Sequence, residues 1–185
     1  IRKATQGKIT LENSHPFIRE LWGRQWIFAH NGDLHNFHPH LSGRFTPVGS
    51  TDSELAFCYL LEQLVLRFGY FEPSLNDVFA LLEEISPKIA EYGTFNFCLS
   101  NGQALFSYAT TKLHWIVREY PFTYARLVDI DVDIDFSQFT TKEDRVAVIT
   151  TEPLTQNEVW TAYQPGEMIL FKDGQVIKTA TTHVE

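Results

Sequence analysis

The sequence predicts a mixed α+β fold in which helices pack on a mainly antiparallel sheet. Three observations support this class. A β-rich run comes early in the chain, two segments with helix-capping signals follow it, and the second half alternates short extended runs with turn dipeptides. The sequence shows no internal repeat, low-complexity tract or linker, so we expect a single domain over residues 1–185.

The composition is typical of an acidic folded domain. The 185 residues include 15 Lys and Arg and 23 Asp and Glu, for a net charge of −8, and 44% are hydrophobic. A chain of this size buries roughly 70% of its extended surface, so its core needs no disulfide or structural metal. The negative charge argues against a nucleic-acid partner, and no apolar run approaches the ~20 residues of a membrane span. Without a leader resembling a signal peptide, the cytoplasm is the expected compartment.

The first strand and the first helix are marked by signals at their ends. Residues 25–29 are β-rich, and we expect a buried strand that stops at the turn dipeptide of residues 31–32, Asn-Gly. Residues 51–54, Thr-Asp-Ser-Glu, match a capping box, in which the first side chain accepts from the fourth amide and the fourth side chain reaches back. The helix that follows should end at Gly69.

A second helix is expected to follow Pro73. Ser74 is its predicted N-cap, and Asp77 is the partner that completes a second capping box. Pro87 is expected to kink or divide this helix, because proline lacks the amide hydrogen that the helix needs. The apolar positions that should face the sheet are Val78, Leu81, Leu82 and Ile85.

The second half of the chain is predicted to be strands. Residues 95–100 and 103–109 flank Asn101-Gly102, which is the strongest short signal for a two-residue hairpin because both turn positions favour positive φ. Asp173-Gly174 predicts another turn. The further expected strands are residues 114–118, 145–150, 168–172 and 175–178.

Two clusters of polar residues are candidates for metal-binding sites, but the sequence does not favour metal binding at either. His30, His35, His38 and His40 match no ligand spacing and have no Cys or paired carboxylate beside them, so we expect a solvated loop. Alternate positions carry aspartates in residues 129–135, which lack the Gly and distal Glu of a calcium loop. A charged edge strand is the favoured interpretation, and the predicted site contains no metal. These aspartates are Asp129, Asp131, Asp133 and Asp135.

The two cysteines occupy apolar positions, Cys58 within the first helix and Cys98 within a hairpin strand. Buried thiols have raised pKa values and are poor nucleophiles. Neither cysteine is therefore expected to be catalytic.

Several polar residues near segment ends could together bind an α-amino acid. An Arg binds a carboxylate, an Asp binds an ammonium, and an Asn amide with a backbone N–H can form an oxyanion hole. Each of these residues could instead have a purely structural role, as a surface charge, a loop histidine, part of a turn or a helix-capping residue. The candidates are Arg2, Thr5, His15, Asn31, Gly32 and Asp52.

Four ordered motifs resemble those of class II glutamine amidotransferases, at residues 1–5, 13–17, 28–34 and 49–54. The stretches at 151–160 and 165–167 look closest to the stand-alone bacterial branch of the family. The resemblance covers essentially the whole chain. It implies the fold of the N-terminal nucleophile hydrolases, which is a four-layer αββα sandwich.

The resemblance also implies a reaction. An N-terminal cysteine, with its own α-amino group as base, would hydrolyse the side-chain amide of glutamine or of a related γ-glutamyl compound. Asn31 and the Gly32 amide would form the oxyanion hole, and Asp52 would bind the substrate ammonium. No cofactor is implied. The remaining substrate contacts would come from Arg2 at the α-carboxylate, His15 along the pocket and Thr5 at its edge.

Two departures from the family pattern qualify this expectation. Gln6 stands where many members have His, which puts contacts from that position in doubt. The family's catalytic cysteine lies at the mature N-terminus, whereas this sequence starts at Ile1 without Met. Cys58 and Cys98 have no free α-amino group and cannot replace it. We therefore expect the domain to be incomplete at its N-terminus, with the nucleophile in a preceding segment.

Two other functions stay open at this point. The chain could be a catalytically inactive module or partner subunit that binds glutamine or a γ-glutamyl compound, or a metal hydrolase that uses the histidine-rich segment. The sequence also leaves open a homo-oligomer and a partner enzyme that accepts ammonia.

Overall fold

The computed structural model describes residues 10–129 and 132–182, which form two long helices and three sheets. No helix among these residues is long and apolar enough to cross a membrane. The helices are α1 (Asp52–Phe68) and α2 (Leu75–Ala90). The strands are β1 (Phe17–Leu21), β2 (Arg24–Leu34), β3 (Gly93–Ser100), β4 (Leu105–Ala109), β5 (His114–Glu119), β6 (Tyr124–Arg126), β7 (Asp133–Asp135), β8 (Arg145–Thr150), β9 (Thr161–Ala162), β10 (Glu167–Lys172) and β11 (Gln175–Thr181).

The largest sheet has six strands in the order β1-β2-β3-β4-β10-β11, and every pairing in it is antiparallel. The connection from β4 to β10 carries the other two sheets. One is three-stranded, in the order β8-β5-β9, and the other is the β6-β7 pair. The predicted antiparallel arrangement is therefore confirmed.

Both helices pack on one face of the six-stranded sheet. Alternate residues of β2 point to this face, where Trp26 and Phe28 are fully buried. The rings of Phe28 and Phe57 from α1 stack with centroids 5.2 Å apart. Replacing a ring buried in this way by Ala typically costs about 3–5 kcal/mol. This layer of aromatic and aliphatic side chains is the main core of the domain.

The opposite face of the large sheet is covered in part by the three-stranded sheet. Ile169 and Phe171 of β10 are buried there, and Phe171 contacts the ring of Trp115 on β5. The described residues thus form helices on a large sheet on a smaller sheet, which are three of the four layers expected. The predicted α+β class is confirmed.

The capping signals located both helices. In α1, the Thr51 hydroxyl accepts from the Glu54 amide, and Gly69 ends the helix with φ 67°. The Glu54 carboxylate does not complete the box, however, because it accepts from the Val48 and Gly49 amides.

The second helix differs from its prediction at one point. Its capping box is complete, with Ser74 and Asp77 bonded reciprocally. The expected division at Pro87 was wrong, since α2 runs unbroken to Ala90, while the alternative of a kink stays a prediction. Proline removes only one backbone hydrogen bond, the one to the Glu83 carbonyl, and three helical residues follow it.

Two turn predictions also need correction. Residues 31–32 lie inside β2, because this strand continues to Leu34 in register with β3. The hairpin formed by β3 and β4 is confirmed, but its connection has four residues, 101–104. The Asn101 side chain accepts from the amides of Gln103 and Ala104. Of the two predicted turn residues, Asn101 and Gly102, only Gly102 has positive φ.

The aspartate-rich segment forms only a short strand, β7. Asp133 forms an exposed ion pair with Arg126 of β6, and Asp135 accepts from the Ser137 amide at the start of a 3-10 turn. Asp131 lies outside the described residues. Within the described part of the chain, no group of His, Cys, Asp or Glu is arranged to hold a metal ion.

Candidate active site

The end of β2 is fixed against the start of α1 by two contacts. The Leu34 amide donates to Asp52 Oδ2 over 2.8 Å, and His30 Nδ1 lies 2.9 Å from Ser53 Oγ. Asp52 and Ser53 open α1, so the helix N-terminus faces the strand segment that contains positions 31 and 32. The predicted oxyanion and ammonium groups thus come from two elements in direct contact.

The buried His30 corrects the expectation of a solvated histidine loop. It lies within β2 and is only 3% exposed. Its Nε2 atom is 3.0 Å from the Thr94 carbonyl oxygen, which can only accept, so the proton lies on Nε2. His35, His38 and His40 are exposed. The histidines therefore do not converge, and the metal interpretation has no support from the described residues.

Position 32 requires glycine because the backbone of β3 approaches it closely. A Cβ atom there would overlap the Thr94 carbonyl oxygen and lie 2.6 Å from His30 Nε2. Strained backbone is not the reason, since Gly32 does not have positive φ. The glycine instead leaves room for the hydrogen bond between His30 and Thr94.

The Gly32 amide points away from β3. Gly32 lies opposite Phe95, and the Phe95 amide donates to Thr110 Oγ1 over 2.9 Å. Opposite residues in an antiparallel pair exchange both hydrogen bonds or neither, so this pair exchanges none. On the other side, β1 begins at Phe17, opposite Phe28, and does not reach position 32. Neither neighbouring strand in the described structure therefore uses the Gly32 N–H.

Asn31 is held through both its backbone and its side chain. Its carbonyl oxygen accepts from the buried Asn96 side chain over 2.9 Å, and its own Nδ2 donates to Thr151 Oγ1 over 3.1 Å. Asn96 is anchored in turn, because its Oδ1 accepts from the amides of Thr110 and Thr111. The Asn31 side chain is exposed, so these polar contacts rather than packing orient it.

A cavity of about 360 Å³ lies beside Asp52. One wall is the loop before α1, which Glu54 holds by accepting from the Val48 amide at 3.0 Å and the Gly49 amide at 2.7 Å. Glu54 is 1% exposed, and the Arg19 guanidinium balances its charge. The cavity is lined by Asp33, Leu34, Asn36, Phe37, His38, Pro47, Gly49, Ser50, Thr51, Asp52 and Leu55.

His15 is not among the residues that line this cavity. Its ring is half-buried and contacts Phe17, with centroids 4.7 Å apart. The preceding turn is tied to the cavity wall, because Asn13 Oδ1 accepts from the Ser50 amide over 2.9 Å. Arg2 and Thr5 lie outside the described residues.

A second cavity, of about 390 Å³, opens beside Asn31 between the two larger sheets. Cys98 is among its lining residues, yet burial raises the pKa of this thiol to about 12. Burial also raises the pKa of Cys58 to about 11, and Arg19 only partly opposes this effect. The predicted burial is confirmed for Cys58, whereas Cys98 is half-buried, and neither thiol is poised as a nucleophile.

Sequence reasoning missed the residues that support the candidate ones. Ser53, Glu54, Asn96 and Thr151 bind other site residues, but their partners are distant in sequence or are backbone groups. Glu54 did give a signal through the capping box, although its carboxylate serves another purpose.

Comparisons with known proteins identify a family for this chain. A family model described as class-II glutamine amidotransferases matches residues 1–185. A candidate glutamine amidotransferase from Haemophilus influenzae is 47% identical over 178 residues, which cover 96% of this chain and 60% of that protein. One from Escherichia coli K12 is 47% identical over 175 residues, which cover 95% of this chain and 69% of that protein.

A solved structure gives the same result. The 2.0 Å crystal structure of a predicted glutamine amidotransferase from Pseudomonas aeruginosa has a TM-score of 0.84 and 46% identity, over 96% of this chain and 70% of that one. The predicted mixed α+β fold is thus shared with this solved structure. Because the family model matches the whole sequence and two relatives share 47% identity, the chain belongs to the class-II glutamine amidotransferases.

Proposed function

We propose that the full-length protein hydrolyses the side-chain amide of glutamine or of a related γ-glutamyl compound. One observation carries this proposal. The Gly32 N–H is turned away from β3, and Gly32 directly follows Asn31 on a strand whose end is hydrogen-bonded to Asp52. Donors on two consecutive residues, with a carboxylate held at the end of the same strand, suit a substrate with an attacked carbonyl at one end and an ammonium at the other.

The nucleophile in this proposal is an N-terminal cysteine in a segment that precedes residue 1. Its sulfur attacks the side-chain carbonyl carbon, and its α-amino group takes the thiol proton and passes it to the leaving nitrogen. Ammonia or an amine departs and leaves a thioester. Water, deprotonated by the same amine, then releases glutamate and regenerates the thiol.

Asn31 and Gly32 stabilise the oxygen that becomes negative in each tetrahedral intermediate. Removing one such donor from an oxyanion hole typically costs about 2.7–4 kcal/mol of transition-state stabilisation. In the proposal the Asp52 carboxylate binds the substrate ammonium. Arg2 binds its α-carboxylate, and His15 and Thr5 complete the pocket.

A module that binds glutamine or a γ-glutamyl compound without hydrolysing it is the second candidate. The observation in its favour is that both cysteines of this chain have raised pKa values. This candidate keeps the roles of Asp52 and Arg2 but assigns no catalytic role to Asn31.

Glutamate release by the purified full-length protein separates the two candidates. The hydrolase proposal expects turnover that is lost when the N-terminal cysteine is changed to Ala and falls at least 100-fold in Asn31→Ala. As a matched control, Asn157→Ala changes an exposed asparagine whose side chain binds backbone near β6, and should leave the rate unchanged. Glutamine binding without turnover would overturn the hydrolase and support the module.

A further inference from the structure

The Asn31 side chain is held from across the domain by Thr151, 120 positions away in sequence. We propose that Thr151 is a positioning residue, which orients the Asn31 carboxamide for the developing oxyanion. This inference rests on the proposed hydrolase function. It assigns Thr151 no contact with the substrate.

The need for positioning follows from the chemistry of a carboxamide. One end carries donor N–H groups and the other carries an acceptor oxygen, and rotation about χ2 exchanges them between broad, roughly two-fold energy wells. An amide that turned its oxygen toward an oxyanion would repel it. Packing does not restrain Asn31, because its side chain is exposed. The hydrogen bond to Thr151 confines the rotation and occupies one N–H, so the second N–H can meet the oxyanion.

Asn31 needs only its side chain to be fixed in this way. Its backbone is already held by the β3 pairing and by the Asn96 side chain, which is 3% exposed. The Asn31 carbonyl accepts from Asn96 Nδ2, and the same nitrogen donates to Thr111 Oγ1 over 2.8 Å. Rotation about the side-chain torsions of Asn31 is therefore the main motion still available to its amide group.

Thr151 is itself anchored, which a positioning residue must be. It directly follows β8, where Thr150 pairs with His114 of β5. His114 Nδ1 donates to the Thr151 carbonyl oxygen over 2.9 Å, since that oxygen can only accept. The neighbouring Glu152 forms an exposed ion pair with Lys112. The three-stranded sheet thus presents the Thr151 hydroxyl to the end of β2.

The contact also spans the second cavity, which both residues line. Asn31 belongs to the six-stranded sheet and Thr151 follows a strand of the three-stranded sheet, so their hydrogen bond joins the two sheets at the cavity. A supporting contact of this kind fixes a catalytic donor before the substrate arrives.

The test uses steady-state glutamate release by the full-length protein. Thr151→Val removes the hydroxyl at constant shape, and Thr151→Ser restores it. We expect Thr151→Val to lower kcat by about five- to tenfold, the rate equivalent of one neutral hydrogen bond, with KM within about twofold of wild type. Thr151→Ser should recover most of the loss. Thr179→Val, at an exposed position on β11, is the matched control and should be unchanged.

A double-mutant cycle separates positioning from a general structural effect. In an Asn31→Ala background, Thr151→Val should cause no further loss of kcat, because the amide that it positions is gone. Three outcomes would overturn this inference alone. One is a wild-type kcat for Thr151→Val when Asn31→Ala has lost most of its activity. The others are fully additive losses of kcat in the double mutant and a kcat for Thr151→Ser as low as that of Thr151→Val. A wild-type rate for Asn31→Ala would overturn the proposed function and this inference together.

Discussion

His30 Nε2 lies 3.0 Å from the carbonyl oxygen of Thr94, and this hydrogen bond occupies the space that a side chain at position 32 would need. The buried His30 thus restricts which residue can occupy position 32 in the strand that carries the proposed oxyanion hole. The same histidine contacts Ser53 at the start of α1. One buried side chain therefore links the proposed oxyanion and ammonium sites.

Gly32→Ala should destabilise the protein, because the new methyl group overlaps the Thr94 oxygen. Overpacking of this kind costs about 1–3 kcal/mol, and Tm falls by about 2–4 °C per kcal/mol in a domain of this size. We expect a fall in Tm of several degrees in thermal unfolding. Gln25→Ala, at an exposed position of the same strand, should change Tm little, and an equal effect of both variants would contradict this explanation.

Asp52→Asn should weaken substrate binding more than it slows chemistry. The proposal pairs this carboxylate with an ammonium, and a hydrogen bond to a charged group is worth about 1.5–3 kcal/mol. We therefore expect KM for glutamine to rise at least tenfold while kcat stays within about threefold. The control is Asp133→Asn, which alters an exposed ion pair in the β6-β7 sheet. An unchanged KM in Asp52→Asn would remove the ammonium site from this position.

Glu54→Ala should loosen the cavity wall before α1. The carboxylate is buried and accepts from the amides of Val48 and Gly49, and truncation also removes the negative charge that pairs with Arg19. Breaking a buried pair typically costs about 3–5 kcal/mol, which should appear as a lower Tm together with a raised KM. Glu72→Ala breaks a more exposed pair with Arg24, where about 0–1 kcal/mol is expected. Similar losses in the two variants would contradict the role of burial.

The acid stability of the protein should depend on Glu158. Burial raises the pKa of this carboxyl group, but hydrogen bonds from Arg118 and Thr155 outweigh it and hold the pKa below the usual 4.5. A lowered folded-state pKa contributes stability above the unfolded value, and this contribution is lost as the pH falls through the folded value. Wild type should therefore exceed Glu158→Gln in Tm above pH 4.5, with the gap closing at lower pH. A gap that widened in acid would reverse the assigned direction.

The sequence located the elements well where local chemistry specifies them. Thr51, Ser74 and Gly69 marked the helix ends because capping bonds join near neighbours, and the β3-β4 hairpin was visible for the same reason. Asn31-Gly32 was mistaken for a turn, since its extended conformation comes from pairing with residues more than sixty positions away. Tertiary pairing here overrode a local preference.

The candidate site likewise contains residues that the sequence identifies and residues that only the structure reveals. Asn31, Gly32 and Asp52 could be named from motif resemblance, and the structure places the strand and the helix that carry them in contact. Asn96 and Thr151 could not be named, because nothing in their local sequence indicates that they bind Asn31. The sequence predicts a solvated loop around His30, yet this residue is buried and contacts Ser53 at the start of α1.

The most direct test of the central claim is inhibition by an aldehyde analogue of glutamine, which forms a tetrahedral adduct with a cysteine nucleophile. The inhibition constants of this analogue and of the product glutamate are measured for full-length wild type and Asn31→Ala. We predict that the variant binds the aldehyde at least 100-fold more weakly while its affinity for glutamate changes less than threefold, because only the adduct carries the oxyanion. Equal aldehyde affinity in the two proteins would contradict the assignment of Asn31 to the oxyanion hole.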